Sequence, residues 1–209
     1  FEGLDGCGKS TQLEKAKNWL TYQGCEVLNT RQPGGTRIGK KIREILLNPE
    51  HKELYPESEL LLYLSDRIQH LTETIIPAKN EGKIVLCDRF HDSTVAYQGY
   101  GRGLNLKSIE SIINYSIKPH TPDLTFLLTI SPKIVVDRLD QRKEHSSKDR
   151  LDIEPRSFFE RAAKGYLELA SAEPGRFVCI NGEQEIEVIH QQIISILQDR
   201  FKIGSKSKG

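Results

Sequence analysis

The chain has 209 residues, with 30 Lys and Arg against 29 Asp and Glu, and charged residues make up 28% of it. This length is enough for one domain with a sizeable core, whereas a net charge of +1 argues against general nucleic-acid binding, which usually brings a basic excess. No apolar run approaches the roughly 20 residues of a membrane-spanning helix. The composition therefore favours a soluble protein without nucleic-acid or membrane partners.

The strongest motif lies in the first eleven residues. Residues 3–10 read Gly-Leu-Asp-Gly-Cys-Gly-Lys-Ser and fit G-x-x-x-x-G-K-[ST], the phosphate-binding P-loop. Its glycines allow backbone angles at which consecutive N–H groups turn around an anion. Lys9 places a positive charge on the β- and γ-phosphates, Ser10 offers a hydroxyl to Mg²⁺, and the positive end of the following helix points at the same phosphates.

A P-loop should follow a strand and open a helix. Apolar residues at helical spacing predict a helix from Ser10 to Gln23, which Gly24 ends. The chain begins at Phe1 and contains no Met, so we expect an N-terminal truncation that removed several apolar residues of the preceding strand.

Strand-like and helix-like segments alternate after this helix, which predicts a parallel sheet with helices on both faces. The predicted strands cover residues 25–30, 83–88, 123–130 and 176–180. The predicted helices cover residues 36–47, 57–76, 106–117, 132–140, 155–172 and 183–201. Thr36 is expected to cap the first of them and Pro77 to help end the second. A polar segment at about 141–151 is predicted to be a mobile surface lid, and the tail at about 202–209 to be frayed.

Two of the predicted strands end at charged residues. Because ligands bind at the carboxyl ends of strands in open α/β sheets, Asp88 could orient Mg²⁺ or its waters, and Arg89 could clamp a phosphate with two hydrogen bonds. Arg31 and the turn at 33–36 follow another strand and suit a second phosphate. The alternatives are a surface ion pair at Asp88 and Arg89, and an ordinary connecting turn after Arg31.

Tyr63 and Arg67 are four residues apart and therefore share a helix face. They could stack on a planar base and donate to its carbonyl oxygens, although a core Tyr beside a solvated Arg is the commoner meaning of such a pair. Basic residues in and beside the lid could close over transferring phosphates or lie on a solvated loop. These residues are Arg138, Arg142, Lys143, Lys148 and Arg150.

The four cysteines form no C-x-x-C pair and no cluster with zinc spacing. Cys25, Cys87 and Cys179 lie in or beside apolar segments, which favours small buried side chains in a reducing, cytoplasmic compartment. Cys7 is expected near solvent and near cationic groups because it lies in the P-loop.

Together these motifs resemble the thymidylate kinase family over nearly the whole chain. The matching stretches are residues 1–11, Thr-Arg-Gln-Pro-Gly-Gly-Thr at 30–36, Tyr63-x-x-x-Arg67, the segment from Asp88 to Gln98, Pro-Asp-Leu at 122–124, Asp149-Arg150 and residues 166–170. The resemblance implies a three-layer P-loop nucleoside monophosphate kinase fold. It would be a single domain, residues 1–209, with a five-stranded parallel sheet, a lid and a homodimer interface through helices such as 57–76. It also implies transfer of the γ-phosphoryl group of ATP to dTMP, with Mg²⁺.

The resemblance carries residue roles onto this chain. ATP would be held by Gly3, Leu4, Asp5, Gly6, Cys7, Gly8, Lys9, Ser10, Thr11 and Arg138. The dTMP site would comprise Asp5, Arg31, Tyr63, Arg67, Arg89, Ser93, Tyr97 and Gln98. The catalytic set would be Lys9, Asp88, Arg89, Arg142 and Arg150, with Ser10 and Asp88 holding Mg²⁺, partly through water.

More specifically, Asp5 would accept from the acceptor's 3′-hydroxyl, and Arg31 and Arg89 would hold its phosphate. Tyr63 would stack on thymine, Arg67 would reach O4, and Tyr97 would crowd the sugar 2′ position. The P-loop contains no Arg, which resembles the bacterial type, in which lid arginines take that part. Gln32 stands where relatives usually have Glu, so the function of that carboxylate is open here.

Three other functions compete with this interpretation. A kinase of another nucleoside monophosphate would share the P-loop and the lid. A regulatory GTPase would need the guanine-reading motif N-K-x-D, which the sequence does not contain. A nucleic-acid-dependent ATPase would need a basic tract, which the net charge disfavours.

Overall fold

The computed structural model describes residues 1–117, 120–142 and 149–204. Within them, the strands are β1 (Val27–Arg31), β2 (Ile84–Asp88), β3 (Thr125–Thr129) and β4 (Phe177–Asn181). The α-helices are α1 (Lys9–Tyr22), α2 (Arg37–Leu47), α3 (Pro56–His70), α4 (Ile76–Asn80), α5 (His91–Thr94), α6 (Leu106–Ile117), α7 (Pro132–Arg142), α8 (Arg156–Ala172) and α9 (Ile186–Phe201). Each predicted strand and helix is therefore confirmed in its position, with bounds that differ by a few residues. No helix in these ranges is long and apolar enough to cross a membrane.

The strands form two parallel pairs, β1 with β2 and β3 with β4. Phe1 and Glu2 lie between the pairs and bond to both. The amino group of Phe1 donates to Cys87 O at 2.9 Å, and its carbonyl accepts from Arg89 N at 3.0 Å. On the other side, Glu2 N donates to Phe126 O at 2.8 Å and Leu128 N donates to Glu2 O at 2.9 Å. The chain therefore enters the P-loop from between the two pairs.

Apolar side chains form two buried clusters. The larger joins α1, β3, β4, α8 and α9 through residues such as Leu20, Leu127, Phe158 and Ile193. The smaller lies between α3, the residues that follow it, and α6. Burial on both faces explains why β3, all of it buried except Thr129, reads as a continuous apolar run.

Local signals specify the start of α2 but not the end of the helical path after α3. The hydroxyl of Thr36 accepts from Gly39 N at 2.9 Å, so the predicted cap is confirmed. The prediction that Pro77 ends the helix is wrong, because a π-helical stretch at Leu71–Ile75 leads into α4. Pro77 lies in the first turn of α4, where a proline is tolerated because no backbone N–H is required there.

The lid and the tail are only partly described. Residues 143–148, which include Lys143 and Lys148, and residues 205–209 lie outside the described residues. The predicted surface segment does not extend to 151, because Arg150 is 6% exposed and Leu151 is 8% exposed. Arg150 N donates to Leu47 O at 2.9 Å, which joins this end of the segment to the end of α2.

Candidate active site

The P-loop surrounds the ammonium group of Lys9. Gly3, Gly6 and Gly8 have φ angles of 135°, 76° and 95°, which residues with a Cβ rarely adopt. Lys9 is the first residue of α1, and its Nζ donates to Gly3 O at 3.0 Å and Leu4 O at 2.9 Å. A phosphate in this loop therefore meets backbone N–H groups, a helix N-terminus and a positive charge together.

Cys7 differs from its predicted environment. It is only 1% exposed, so the expectation of a thiol near solvent is wrong. Its Sγ lies 3.7 Å from Nζ of Lys9, which agrees with the expected cationic neighbour. The thiol packs closely against the backbone of Gly3, where an added Cβ would stand 2.9 Å from Sγ.

Ser10 and Asp88 meet at the edge of the P-loop. The Ser10 hydroxyl donates to Oδ2 of Asp88 at 2.9 Å, joining the start of α1 to the end of β2. The cavity beside them is lined by Asp5, Gly6, Gly8, Lys9, Ser10, Thr11, Arg31, Gln32, Arg43, Asp88 and Arg89. Arg138 reaches the loop from α7, with Nη1 donating to Gly6 O at 2.5 Å.

Arg89 is the most highly connected charged group of the site. Its Nη2 donates to Oδ1 of Asp5 at 2.7 Å and to the Tyr97 hydroxyl at 3.1 Å. Its Nη1 donates to Ser93 and Tyr166, both at 3.1 Å. Burial alone would raise the pKa of Asp5, but the positive charges of Arg89 and Lys9 hold it well below its usual range. Asp5 and Arg89 are therefore an ion pair at neutral pH.

Glu2 binds two of the side chains that contact Arg89, namely Ser93 and Tyr166. It was not identified from the sequence as a site residue. It is 2% exposed. One carboxylate oxygen accepts from Phe90 N at 2.6 Å, and the other accepts from Ser93 at 2.6 Å and Tyr166 at 2.8 Å. The available signal was an acidic residue directly before the P-loop, in a segment expected to be a buried strand.

A second cavity lies next to the first. It is lined by Asp5, Gln32, Pro33, Arg43, Leu47, Tyr63, Arg67, Arg89, Phe90, Ser93, Thr94, Tyr97, Gln98, Asp149 and Leu151. The structure thus brings together in one cavity Tyr63, Arg67, Ser93, Tyr97 and Gln98, the residues that the resemblance assigns to a base and sugar site. Arg31 is exposed and lines the first cavity.

Arg67 is buried, and one nitrogen of its guanidinium group has no hydrogen-bond partner among the described residues. Its Nε donates to Gln32 at 2.9 Å, and Nη2 donates to Thr94 at 2.7 Å and Phe90 O at 3.3 Å. Across the described part of the chain, Nη1 has no hydrogen-bond partner although it is buried. Burial lowers the pKa of Arg67 to about 10, so it remains charged at pH 7. A carbonyl oxygen in this cavity would satisfy Nη1.

Gln98 and Arg150 both bind the buried carboxylate of Glu59. Gln98 Nε2 donates to Glu59 at 2.6 Å. Arg150 is paired with the same carboxylate, and its Nε donates to Leu46 O at 2.9 Å. The structure therefore does not bring Arg150 to Lys9. The side chain of Arg142 lies outside the described residues.

Arg43 was also missed in the sequence. It lines both cavities, and its Nη1 donates to Pro33 O at 3.0 Å. Burial, and then the nearby charge of Arg31, lowers its pKa. It lies in the middle of an amphipathic helix, where a basic residue normally indicates only a solvated face.

Comparison with known proteins points to the same family that the sequence motifs resemble. The family model described as thymidylate kinase matches residues 1–193. The thymidylate kinase of Chlorobium luteolum is 44% identical over 208 residues, covering 97% of each chain. That of Bacillus licheniformis is 42% identical over 202 residues, covering 97% of this chain and 95% of the relative.

A solved structure is similar as well. The crystal structure of thymidylate kinase from Ehrlichia chaffeensis superposes with a TM-score of 0.76 at 32% identity. The match covers 95% of this chain and 96% of that one. The α/β fold with a P-loop is therefore shared over almost the whole length.

Proposed function

Since the chain belongs to the thymidylate kinase family and transfers the γ-phosphoryl group of ATP to dTMP, giving dTDP and ADP, we propose how its two cavities divide that task. The P-loop cavity takes the phosphates of ATP, and the cavity lined by Tyr63 and Arg67 takes dTMP. The observation that carries this division is that both cavities share Asp5, Gln32, Arg43 and Arg89. The shared cations lie where a donor phosphate and an acceptor phosphate would meet.

On the donor side, Gly3, Leu4, Asp5, Gly6, Cys7, Gly8 and Thr11 form the loop around the phosphates, with Lys9 on the β- and γ-phosphates. Mg²⁺, as a hard cation, prefers oxygen ligands. Ser10 and Asp88 offer a hydroxyl and a carboxylate at the mouth of the loop, so these residues fit the ion and would hold it, partly through water. When bound, the ion neutralises phosphate charge.

On the acceptor side, Tyr63 stacks on thymine and Arg67 donates from Nη1 to O4, where its partner is missing among the described residues. Asp5 accepts from the 3′-hydroxyl, and Tyr97, whose hydroxyl donates to Asp5 at 2.9 Å, crowds the sugar 2′ position. Ser93 and Gln98 complete the base and sugar site. Arg31, Arg43 and Arg89 hold the acceptor phosphate.

Catalysis then consists of positioning and charge neutralisation. The acceptor phosphate oxygen attacks in line and is already largely ionised at neutral pH, so no general base is required. Lys9, Arg89, Arg138 and Arg142 offset the repulsion between donor and acceptor. Arg150 would need to leave the buried Glu59 carboxylate to reach the γ-phosphate, so we assign it to holding the lid end against α2 and α3.

We further infer a five-stranded parallel sheet with Phe1 and Glu2 in its central strand, because these residues bond to β2 on one side and β3 on the other. We also propose one domain with a lid in the segment that precedes Arg150. We propose a cytoplasmic location as well, for which the free cysteines of the described chain are the support.

We propose a homodimer that forms through α3. Leu61 and Ile68 are 58% and 44% exposed and lie seven residues apart, so they share one face of the helix. Light scattering should give about twice the chain mass, and Leu61→Glu should lower it. A monomeric mass for the unaltered protein would contradict this interface.

An ADP-release assay with ATP and Mg²⁺ tests the acceptor, with dTMP, dUMP, UMP, dCMP, AMP and GMP in parallel. A clear preference for dTMP is expected. A preference for another monophosphate would overturn the roles of Tyr63, Arg67 and Tyr97. ATP binding without turnover of any acceptor would favour a regulatory nucleotide switch.

A further inference from the structure

The carboxylate of Glu59 lies at the centre of a buried polar network behind the acceptor cavity. Glu59 is on α3 and is 0% exposed. One of its oxygens accepts from Gln98 Nε2 at 2.6 Å and from Arg102 Nε at 3.3 Å. The other accepts from Arg102 Nη2 at 3.1 Å and from Arg150 Nη2. Three side chains, two from residues 98–102 and one from residue 150, therefore converge on one acid.

The two guanidinium groups keep this acid ionised. Burial by itself would raise the pKa of Glu59, but Arg102 and Arg150 outweigh burial and lower the pKa below its usual value. An ionised carboxylate has acceptors only. The end of the Gln98 carboxamide that faces Glu59 must therefore be its NH₂ group.

This orientation determines what Gln98 offers to a ligand. Gln98 is 2% exposed and lines the acceptor cavity. With its nitrogen held by Glu59, the polar atom that remains for a ligand is Oε1, a hydrogen-bond acceptor. Arg67 offers a donor, Nη1, in the same cavity. The cavity thus presents one acceptor and one donor.

Thymine and uracil match this pair, since they carry a donor at N3–H and an acceptor at O4. Cytosine carries the reverse, an acceptor at N3 and a donor at the 4-amino group. We propose that Glu59 is a positioning residue for base selection: it holds the Gln98 carboxamide with its oxygen toward the base, so that the site requires an N3–H donor. The inference rests on the proposed acceptor site.

The test compares dTMP with 5-methyl-dCMP in the ADP-release assay. Glu59→Gln replaces the carboxylate with a carboxamide, which can donate as well as accept, so Gln98 can turn its NH₂ toward N3 of the cytosine. The ratio of kcat/KM values for dTMP over 5-methyl-dCMP should be at least ~100 before the change. It should fall by about tenfold or more in the variant. Arg67 contributes equally in both proteins, so the change in the ratio reports on Gln98.

Glu154→Gln is the matched control. Glu154 pairs with Nη1 of the same Arg102, so this variant removes one negative charge from the same network. None of the bonds described for Gln98 involves Glu154. The dTMP preference should therefore stay within about twofold of the unaltered protein.

A second variant covers the case in which Glu59→Gln does not fold because Arg150 is left buried without a carboxylate. The double variant Glu59→Gln/Arg150→Gln removes both charges and leaves Arg102 paired with Glu154. Its control is Arg150→Gln alone, in which Arg102 still holds the Glu59 carboxylate against Gln98. The double variant should lose the preference and the control should keep it.

The outcomes separate this inference from the proposed function. An unchanged preference in a folded Glu59 variant, with dTMP still the best acceptor of the unaltered protein, would overturn the role of Glu59 alone. Equal rates with dTMP and 5-methyl-dCMP in the unaltered protein would overturn both the base site and the inference. No turnover of dTMP at all would overturn the proposed function itself.

Discussion

His70 packs directly against the backbone of Gly35, so closely that a Cβ added at Gly35 would stand 2.3 Å from Nε2 of the imidazole. The same nitrogen lies 2.7 Å from the hydroxyl of Thr30. His70 is 0% exposed. The last residue of α3 therefore fixes the turn that connects β1 to α2, and that turn carries Gln32 and Pro33 into the acceptor cavity.

Gly35→Ala should accordingly displace the turn, since real Cβ atoms do not approach neighbours this closely. We expect a loss of stability of about 1–3 kcal/mol and a higher KM for dTMP, measured by denaturant unfolding and by the ADP-release assay. Gly175→Ala is the control, because a Cβ there meets nothing within 4 Å. Equal effects of the two substitutions would contradict the tight contact.

His70 should also make stability depend on pH. Burial lowers its pKa to about 4, while an unfolded histidine titrates near 6.5. Between these values the unfolded chain binds the proton more tightly, so stability falls as the pH drops through this window. The expected contribution is a loss of about 2 kcal/mol between pH 7 and pH 5.

Urea unfolding at pH 7 and pH 5 measures that loss. In His70→Gln, the difference in unfolding free energy between the two pH values should shrink by that amount. His51→Gln, a change at a surface histidine, should leave the difference as it is. The idea fails if His70→Gln and the unaltered protein lose the same stability on acidification.

Lys9→Ala should remove the ammonium group from the centre of the P-loop. We expect kcat/KM to fall by at least ~10²-fold, a barrier increase of about 3 kcal/mol. Lys17→Ala is the control, since Lys17 lies on the same helix and pairs with Glu14 at the surface. A rate near normal in Lys9→Ala would refute the assigned role.

Tyr63→Ala should weaken dTMP binding by ~1–3 kcal/mol, the scale of base stacking on an aromatic ring, because Tyr63 is 9% exposed and lines the acceptor cavity. Isothermal titration with dTMP and with ATP measures both affinities. Tyr115→Ala, at an 86% exposed tyrosine, should change neither. A loss of ATP affinity with intact dTMP affinity would mean that Tyr63 faces the other substrate.

The sequence predicted the parts of the site whose residue spacing or strand-end position limits where they can lie. The P-loop, and Asp88 and Arg89 at the end of β2, came from such local rules. The i,i+4 spacing placed Tyr63 and Arg67 on one helix face, but their roles came from the resemblance to the family. Arg43 and Glu59 could not be found this way, because each lies on a helix where charge normally means solvent. Their burial results only from contacts with residues far along the chain.

Helix continuation was similarly hard to predict. The segment Val95–Gly101 is π-helical, although two of its seven residues, Gly99 and Gly101, are glycines, which weaken a helix. Packing of Gly101 and Gly165 against large rings, Phe158 and Tyr100, at distances that leave no room for a Cβ, shows that tertiary contacts decide the path there. Pro77 is a second example. A proline normally ends a helix, but here the π-helical stretch Leu71–Ile75 precedes it and the helical path continues into α4.

The position of Phe1 and Glu2 has a consequence for the order of events during synthesis. These residues leave the ribosome before their backbone partners, which are at positions 87–89 and 126–128. Closing contacts over such separations is slow compared with forming α1 locally. The phosphate-binding loop is therefore synthesised early but reaches its final conformation only after residue 128 has emerged. A ribosome-bound chain shorter than this has the nucleotide-binding motif but lacks the strands that hold the motif in place.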